Sequence, residues 1–553
     1  MTGLQEVLLE LLTEFDEICT KHGIRYYLSG GSNLGALRHG GFIPWDDDAD
    51  IRIPRRDYEK LEEVFDSEKK PARELVSHNR YPSYCSPIPR YMSLSSTSVT
   101  RGRMEDGTPH GDYIDMMILD PIPRDEEELQ EWKYNHYAYC ELMEPAQINA
   151  ARKSNWEGIN IDRYRMYREK AKKVGKEAVL NELAEKLFTI EEEDADNYCM
   201  RFGTMWLGIN PIDWYGEPRR VPFEDRETCI ASKAELCAYV NYGYEWRNIP
   251  HATGRTGHPT FRVEGLDSGN MERDYMSRFD ADEYRNLLQN YKDLRIEHSE
   301  IKLETFESRV KPYARYLGSR IARDVKNLGE DYLIANPEEG IKVFRPYMRL
   351  QTSKEFSRNK VYVELDSGLT DLMARLCYMQ NRITSIGRIL EIRKTAVELS
   401  EYQQEILDFS NAMTDMMKAI DLGLYDEAEK ILKAWEPEHS EQLMAVNGRL
   451  EILVHNAKAG ETGAWEEARR LAEKALQNYP ENGEILKLYG DALEGLGMPD
   501  EADEAYRKAV ANTDNGMIIN ELIKRGKKYA ADRMEEICGD APDEDYSTET
   551  VYV

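Results

Sequence analysis

YLSGGSNLGALRHGGFIPWDDDADIRIPRRD, from Tyr27 to Asp57, is the stretch whose reading decides the fold. A short apolar run, Ile24 to Leu28, leads into Ser29-Gly30-Gly31-Ser32, and Asn33 to Arg38 can form the helical turn after it. A strand, a glycine turn and a helix in that order let the backbone come close to a phosphate. Glycine has no Cβ in the way, and the first turn of a helix offers unpaired N–H groups at the positive end of its dipole. Most Gly-Gly pairs are plain turns, so the weight falls on the acids beyond them. From Asp48 the chain alternates acid and apolar residues, Asp48-Ala49-Asp50-Ile51. Residues i and i+2 of a strand share a face, which predicts that Asp48 and Asp50 project side by side. Two carboxylates so placed repel unless a cation lies between them, and hard oxygen donors suit Mg2+ or Mn2+. A solvated acidic loop is the ordinary alternative. The flanking Phe42, Ile43, Trp45, Ile51 and Ile53 and the two-residue period favour the strand.

Further along, Tyr113-Ile114-Asp115-Met116-Met117-Ile118-Leu119 places one acid inside an apolar strand. An isolated buried carboxylate is costly. Asp115 is therefore expected as a third metal ligand, on a strand next to the one that carries Asp48 and Asp50. Asp112 and Asp120 read as turn or cap residues. Ahead of the glycine turn, residues 4–21 repeat Leu, Val, Phe and Ile at helical spacing, closed by His22-Gly23. Residues 56–66 read as a further helix.

The bulk numbers narrow the classes. The chain has 553 residues, 73 basic against 103 acidic, for a net charge of −30. That excess argues against nucleic acid as the main partner. Eight cysteines without a CxxC pair fit a reducing compartment better than a zinc cluster or disulfide framework. The first residues lack the basic and apolar regions of a signal peptide, and no run of about 18 apolar residues suggests a membrane span.

The wording from Gly23 to Leu61 resembles the signature of the LicD family, phosphocholine transferases of bacterial surface glycans grouped with the fukutin-type phosphotransferases. Tyr113 to Pro123 resembles that family's later acid-bearing strand. A looser likeness covers Val221–Asp225 and Tyr242–Pro250, followed by a basic residue and a histidine, here Arg255 and His258. Ser32 stands where a threonine is common, which keeps the hydroxyl. The likeness spans about residues 1–260 and leaves 125–215 unmatched. It implies a nucleotidyltransferase fold and transfer of a phospho-alcohol from a CDP-activated donor, CDP-choline or similar, to a hydroxyl of a cell-surface glycan or its precursor, with release of CMP. Lipopolysaccharide and teichoic acid are acceptors of this kind. In that plan Asp48, Asp50 and Asp115 are the catalytic, metal-holding acids, with Mg2+ or Mn2+ as cofactor, and Asp115 shares the metal or takes the proton of the attacking hydroxyl. Gly30, Gly31 and Ser32 cradle the diphosphate, and Arg38 clamps phosphate oxygens. His39 contacts the donor or caps the loop, and Asp46 and Asp47 support the site. If the carried group is choline, Trp45, Trp206, Trp214, Tyr215, Tyr242 and Trp246 are the aromatic candidates for its cage, of which at most two are expected to serve.

The expected architecture is α+β: a nucleotidyltransferase-like mixed sheet with flanking helices over 1–262, a helical extension over 263–400, repeats of tetratricopeptide type over 401–540 and an acidic disordered tail over 541–553. Pro312 is expected to end or kink a helix, and 369–399 reads as one long amphipathic helix. The repeat rests on 465–480 and 499–514, where Ala468 and Ala502 lie thirty-four residues apart. Residues 425–435 look like an earlier copy. Such a stack either binds a protein partner or braces the enzyme. The leading expectation is a cytoplasmic transferase, with peripheral association at the inner face of the membrane left open. Two alternatives stand beside it: a nucleotidyltransferase that moves an NMP group and releases pyrophosphate, and a non-catalytic scaffold.

Overall fold

The computed structural model describes residues 1–84, 86–100, 108–143, 161–202, 206–251, 255, 260–263, 303–352 and 362–539. The expected tail and His258 lie outside them. The chain divides into two compact units. One comprises Met1–Trp246, Pro250–Ile301 and Cys538–Val553, and the other Arg247–Ile249 and Lys302–Ile537.

The N-terminal unit is a mixed sheet with helices against it. Helix α1 (Gly3–His22) begins in a capping box, where Thr2 and Gln5 satisfy each other's backbone N–H groups, and ends at Gly23 in the left-handed conformation. Its buried face, Leu8, Leu11, Leu12, Phe15 and Ile18, packs on the sheet core of Ile51, Ile53, Ile114, Met116 and Ile118. Each such side chain contributes about 1.5–3 kcal/mol on burial. The chain then forms β1 (Tyr27–Leu28), α2 (Gly30–Arg38), β2 (Asp50–Pro54), α3 (Arg55–Glu68), β3 (Arg73–Val76), β4 (Arg90–Ser93), β5 (Thr97–Thr100) and β6 (Asp112–Pro121). Helices α4 (Glu126–Met143), α5 (Ile161–Val174) and α6 (Lys176–Leu187) come next. They share a core around Trp132, Leu180 and Leu183, in a stretch where the sequence offered no match. Strands β7 (Asn197–Phe202), β8 (Trp206–Pro211), β9 (Arg219–Phe223) and β10 (Arg226–Ile230), helix α7 (Ala234–Tyr242) and β11 (Thr260–Val263) complete the unit.

Strand order is β1-β2-β6-β4-β3, with β7 also on β6 and β8 on β7. The long β6 is central. It runs parallel to β2 and antiparallel to β4 and β7. Asp120 lies inside β6, buried in an ion pair with Arg55 at 2.7 Å, and Asp112 is buried at its start. Neither is the turn or cap residue expected.

The second unit is helical: α8 (Leu303–Leu328), α9 (Glu330–Ala335), α10 (Pro337–Gln351), α11 (Ser367–Met379), α12 (Ile383–Lys394) and α13 (Glu401–Asp421). It continues with α14 (Tyr425–His439), α15 (Leu443–Lys458), α16 (Ala464–Asn478), α17 (Gly483–Gly495), α18 (Pro499–Ala511), α19 (Gly516–Lys524) and α20 (Lys528–Gly539). The part from α14 onward is consistent with helical repeats. Ala468 and Ala502 are buried, and the Tyr506 ring lies over Gly490. Pro312 sits within α8, which removes the first of its two expected effects, the ending of a helix. One expectation fails: the helix read over 369–399 breaks at Gln380-Asn381-Arg382. Asn381 takes a left-handed φ of 53°, which asparagine tolerates better than most residues and which stops a helix. No helix among the described residues is long and apolar enough to cross a membrane.

A Cβ on Gly490 would lie 2.5 Å from the Tyr506 ring. Gly490→Val is expected to destabilise the second unit by about 1–3 kcal/mol, the scale of overpacking, read as a lower urea midpoint for its transition.

Candidate active site

The site grows from the β2–β6 ladder. In the parallel register Asp50 stands opposite Asp115, and Arg90 of β4 stands opposite Asp115 on its other side. Residues paired across strands share a face about 4.8 Å apart. The three therefore form one row, Asp50, Asp115, Arg90. Arg90 Nε donates to Asp115 Oδ1 at 2.8 Å, and its guanidinium stacks 3.5 Å over the Tyr113 ring. Burial opposes the Arg90 charge, yet the Asp115 carboxylate more than offsets it and raises the guanidinium's pKa. The sequence pointed to Asp115 but not to Arg90. Its signal was a lone cation in the apolar strand just after Pro89.

Asp48 is placed differently from the expectation. Strand β2 begins at Asp50, and Asp48 lies in the lead-in. Pairing reaches back only to Ala49, whose carbonyl accepts from Asp115 N at 3.0 Å. Asp48 instead groups with Asp46 and Asp47, their carboxylate oxygens all within 4.8 Å of one another. The two residues read as support thus stand beside the principal acids. At an effective dielectric of about 20, unit charges so close repel by on the order of 3–4 kcal/mol per pair. The α2 dipole offsets only about 0.3–1 kcal/mol of that. A divalent cation is the group that matches this set of hard oxygen donors.

The glycines explain how the acids come so close. Helix α2 begins at Gly30, so Gly30, Gly31 and Ser32 are its first turn rather than a loop ahead of it. A Cβ on Gly30 would meet Asp50 Oδ2 at 2.8 Å, and one on Gly31 would meet Asp46 Oδ2 at 2.5 Å. In this structure the glycine pair admits carboxylates. Ser32 Oγ accepts from Asp50 N at 3.0 Å, and Ser29 Oγ accepts from Arg52 Nε at 2.9 Å, which ties the helix start to β2. The acid loop is held from α1: Gln5 Nε2 donates to the carbonyls of Ile43 and Asp46 at 3.1 and 3.0 Å. Glu224 braces the turn before it, accepting from Phe42 N at 2.8 Å.

Arg38 and His39 stand at the other end of α2, about 12 Å along its axis from Gly30. Arg38 is buried, donates to the Trp246 carbonyl at 3.0 Å, and is pushed down to about 10 by burial, so it keeps its charge at neutral pH. Burial, then the charges of Arg38 and Arg255, push His39 down to about 3. It is a neutral imidazole whose ring meets Trp45 edge to face. Arg255 lies 4.1 Å over the Trp45 ring.

Of the aromatic candidates, Tyr215 and Trp246 are core residues, and Trp214 packs against the core. The Trp206 side chain lies outside those described. Tyr242 is 42% exposed, and its phenol is pushed up by desolvation and then by Asp46, Asp50 and Asp48. The charges of the loop acids and of the strand acid thus all bear on this one hydroxyl.

Comparison with known proteins finds a family likeness over the stretch that carries the glycine pair and the acid loop. Residues 23–84 match the family model described as LicD/FKTN/FKRP, nucleotidyltransferase domain. The lipopolysaccharide cholinephosphotransferase LicD of Haemophilus influenzae is 44% identical over 61 residues, 11% of this chain and 23% of that protein. An uncharacterized protein of Rickettsia typhi is 35% identical over 78 residues, 14% and 25% of the two chains. Mouse ribitol 5-phosphate transferase FKRP is 50% identical over 46 residues, 8% and 9% of the two chains. The matches thus span a quarter or less of these relatives. No solved structure matches.

Two outcomes are expected. Gly31→Ala displaces the Asp46 carboxylate and weakens Mn2+ binding by about 10- to 100-fold, the usual cost of disturbing a ligand's support, as read by calorimetry on a protein of unchanged circular dichroism. The second concerns acid. An unfolded histidine titrates near 6.5, so below that pH the unfolded chain takes a proton that folded His39 refuses until about 3. Stability supported by the neutral ring is therefore lost as pH falls through this window, and the urea midpoint of His39→Gln should fall less steeply there than that of the wild type.

Proposed function

On the premise of a LicD/FKTN/FKRP nucleotidyltransferase domain over residues 23–84, we propose that the protein transfers a phospho-alcohol from a CDP-activated donor to a sugar hydroxyl, releasing CMP. The observation that carries this reading is the register that sets Asp50 beside Asp115, with Asp46, Asp47 and Asp48 at the entry to the same strand. Asp48, Asp50 and Asp115, joined by Asp46 and Asp47, are the residues that would hold Mg2+ or Mn2+. The ion, when bound, neutralises charge on the donor diphosphate.

The chain's own groups divide the remaining work. The first N–H groups of α2 lie at Gly30, Gly31 and Ser32, where a diphosphate oxygen can be received once the carboxylates turn to the metal. Arg90 holds Asp115 through its Nε, and that carboxylate either shares the metal or takes the proton of the attacking hydroxyl. Of the aromatic candidates we favour Tyr242, whose phenol feels the charges of Asp46, Asp50 and Asp48, and Trp45, next to Asp46 in the chain, at most the two expected. They suit either the cytosine ring or a quaternary ammonium, although Trp45 already carries Arg255 on its face. Choline and ribitol, named in the two characterised relatives, are the first alcohols to test.

The full chain incubated with Mg2+, a lipopolysaccharide or teichoic acid acceptor and CDP-choline, CDP-ribitol or CDP-glycerol should release CMP with at least one donor. Asp50→Asn and Asp115→Asn should each reduce the rate by at least about 100-fold, the scale of removing one preorganised charge-stabilising group, with the fold intact. Release of pyrophosphate from a nucleoside triphosphate instead, or no CMP from any donor, overturns the reading.

A further inference from the structure

The second unit holds a cavity of about 370 Å³ whose chemistry is unlike the rest of the chain. Arg345 and Arg349, one turn apart on α10, face it together with Arg382 and Arg388 of the α12 segment. Four guanidiniums around one cavity are unexpected in a protein with thirty more acids than bases. Several arginines elsewhere find carboxylates: Arg25 has Asp57, Arg55 has Asp120, Arg73 has Glu14 and Arg90 has Asp115. Among the described residues, none of the four has a carboxylate within ion-pair distance, and no acid lines the cavity. All four are exposed, so burial does not suppress their charge. Like charges gathered around one cavity repel, and a bound anion relieves that repulsion.

Two further features point the same way. The break at Asn381 makes Arg382 the N-cap of α12, and no side chain caps that helix. The N–H groups of Ile383, Thr384 and Ser385 are therefore those that an α-helix leaves unpaired at its positive end, and Ser385 itself lines the cavity. Ile341 and Met348 supply an apolar wall. The volume is at the lower end of small-molecule sites, larger than a lone ion needs. Guanidinium forks match phosphate oxygens in two-pronged contacts, a geometry that ammonium groups do not offer.

We propose that this cavity binds a small organic phosphate, with its phosphate or diphosphate group among Arg345, Arg349, Arg382 and Arg388 and its organic part against Ile341 and Met348. The site is separate in sequence from the acidic row of the N-terminal unit and opposite in charge, so the two respond to different conditions.

Calorimetry on the full chain in EDTA, which withholds metal from the acidic site, tests this with pyrophosphate, phenyl phosphate and inorganic phosphate as probes. Saturable binding with one site per chain is expected, weakened by added salt. Arg345→Gln and Arg388→Gln should each weaken it about tenfold or more, as for loss of a charge-assisted hydrogen bond, with circular dichroism unchanged. Asp50→Asn should leave it as it is. Phenyl phosphate should bind more tightly than inorganic phosphate, and equal affinity would remove the organic part of the proposal. No saturable binding of any probe at millimolar concentration, or binding that survives in the double variant Arg345→Gln/Arg388→Gln, overturns it.

Discussion

The parallel pairing of β2 with β6 is the constraint on which the N-terminal unit depends. A strand's side chains alternate, so a slip of one residue would send Asp115 to the opposite face and bring Met116 or Ile114 beside Asp50. The apolar residues fix the register: Ile51, Ile53, Ile114, Met116 and Ile118 must reach the core under α1. The hydrophobic pattern thus sets the spacing of the carboxylates, and the acids need no attraction of their own to meet. Their mutual repulsion is a cost that the core burial outweighs.

The glycine pair and the charges around it serve the same end. Acids tend to be driven apart, and the chain supplies three means of keeping them close. Gly30 and Gly31 remove side chains that would hold Asp50 and Asp46 away. Arg90 takes up part of the charge at Asp115. Main-chain contacts to Ser32 and Gln5 fix the loop without adding charge. These devices act on position, which is what the proposed transfer would draw on most, because phosphoryl transfer is promoted largely by placement and by electrostatics.

Much of this was legible in the sequence. The strand period around Asp50 and the lone acid at Asp115 were local patterns, and the pairing they suggested is the one formed. Asp48 was misplaced because alternation does not say where a strand begins; that is settled by which backbone groups find partners, and pairing stops at Ala49. Arg90 was missed because its meaning lies across the sheet, in a register no single segment reveals. Arg38 and His39 were read from sequence proximity to the glycines, whereas nine residues of helix carry them to the far end. In the second unit, the amphipathic pattern over 369–399 hid the break at Asn381, since apolar spacing alone does not report a single residue in a left-handed turn.

Gln5 reaches beyond its place in the first helix. Its amide is fully used: the oxygen accepts from Thr2 N, and the nitrogen donates to Ile43 and Asp46. One planar group therefore belongs both to the cap of α1 and to the wall of the acidic loop. Fraying of the first turn and loosening of that loop are not independent fluctuations but a single opening equilibrium. Hydrogen-exchange protection at the chain's beginning and order in the acidic segment share one free energy, and whatever stills the loop also firms the end of the chain.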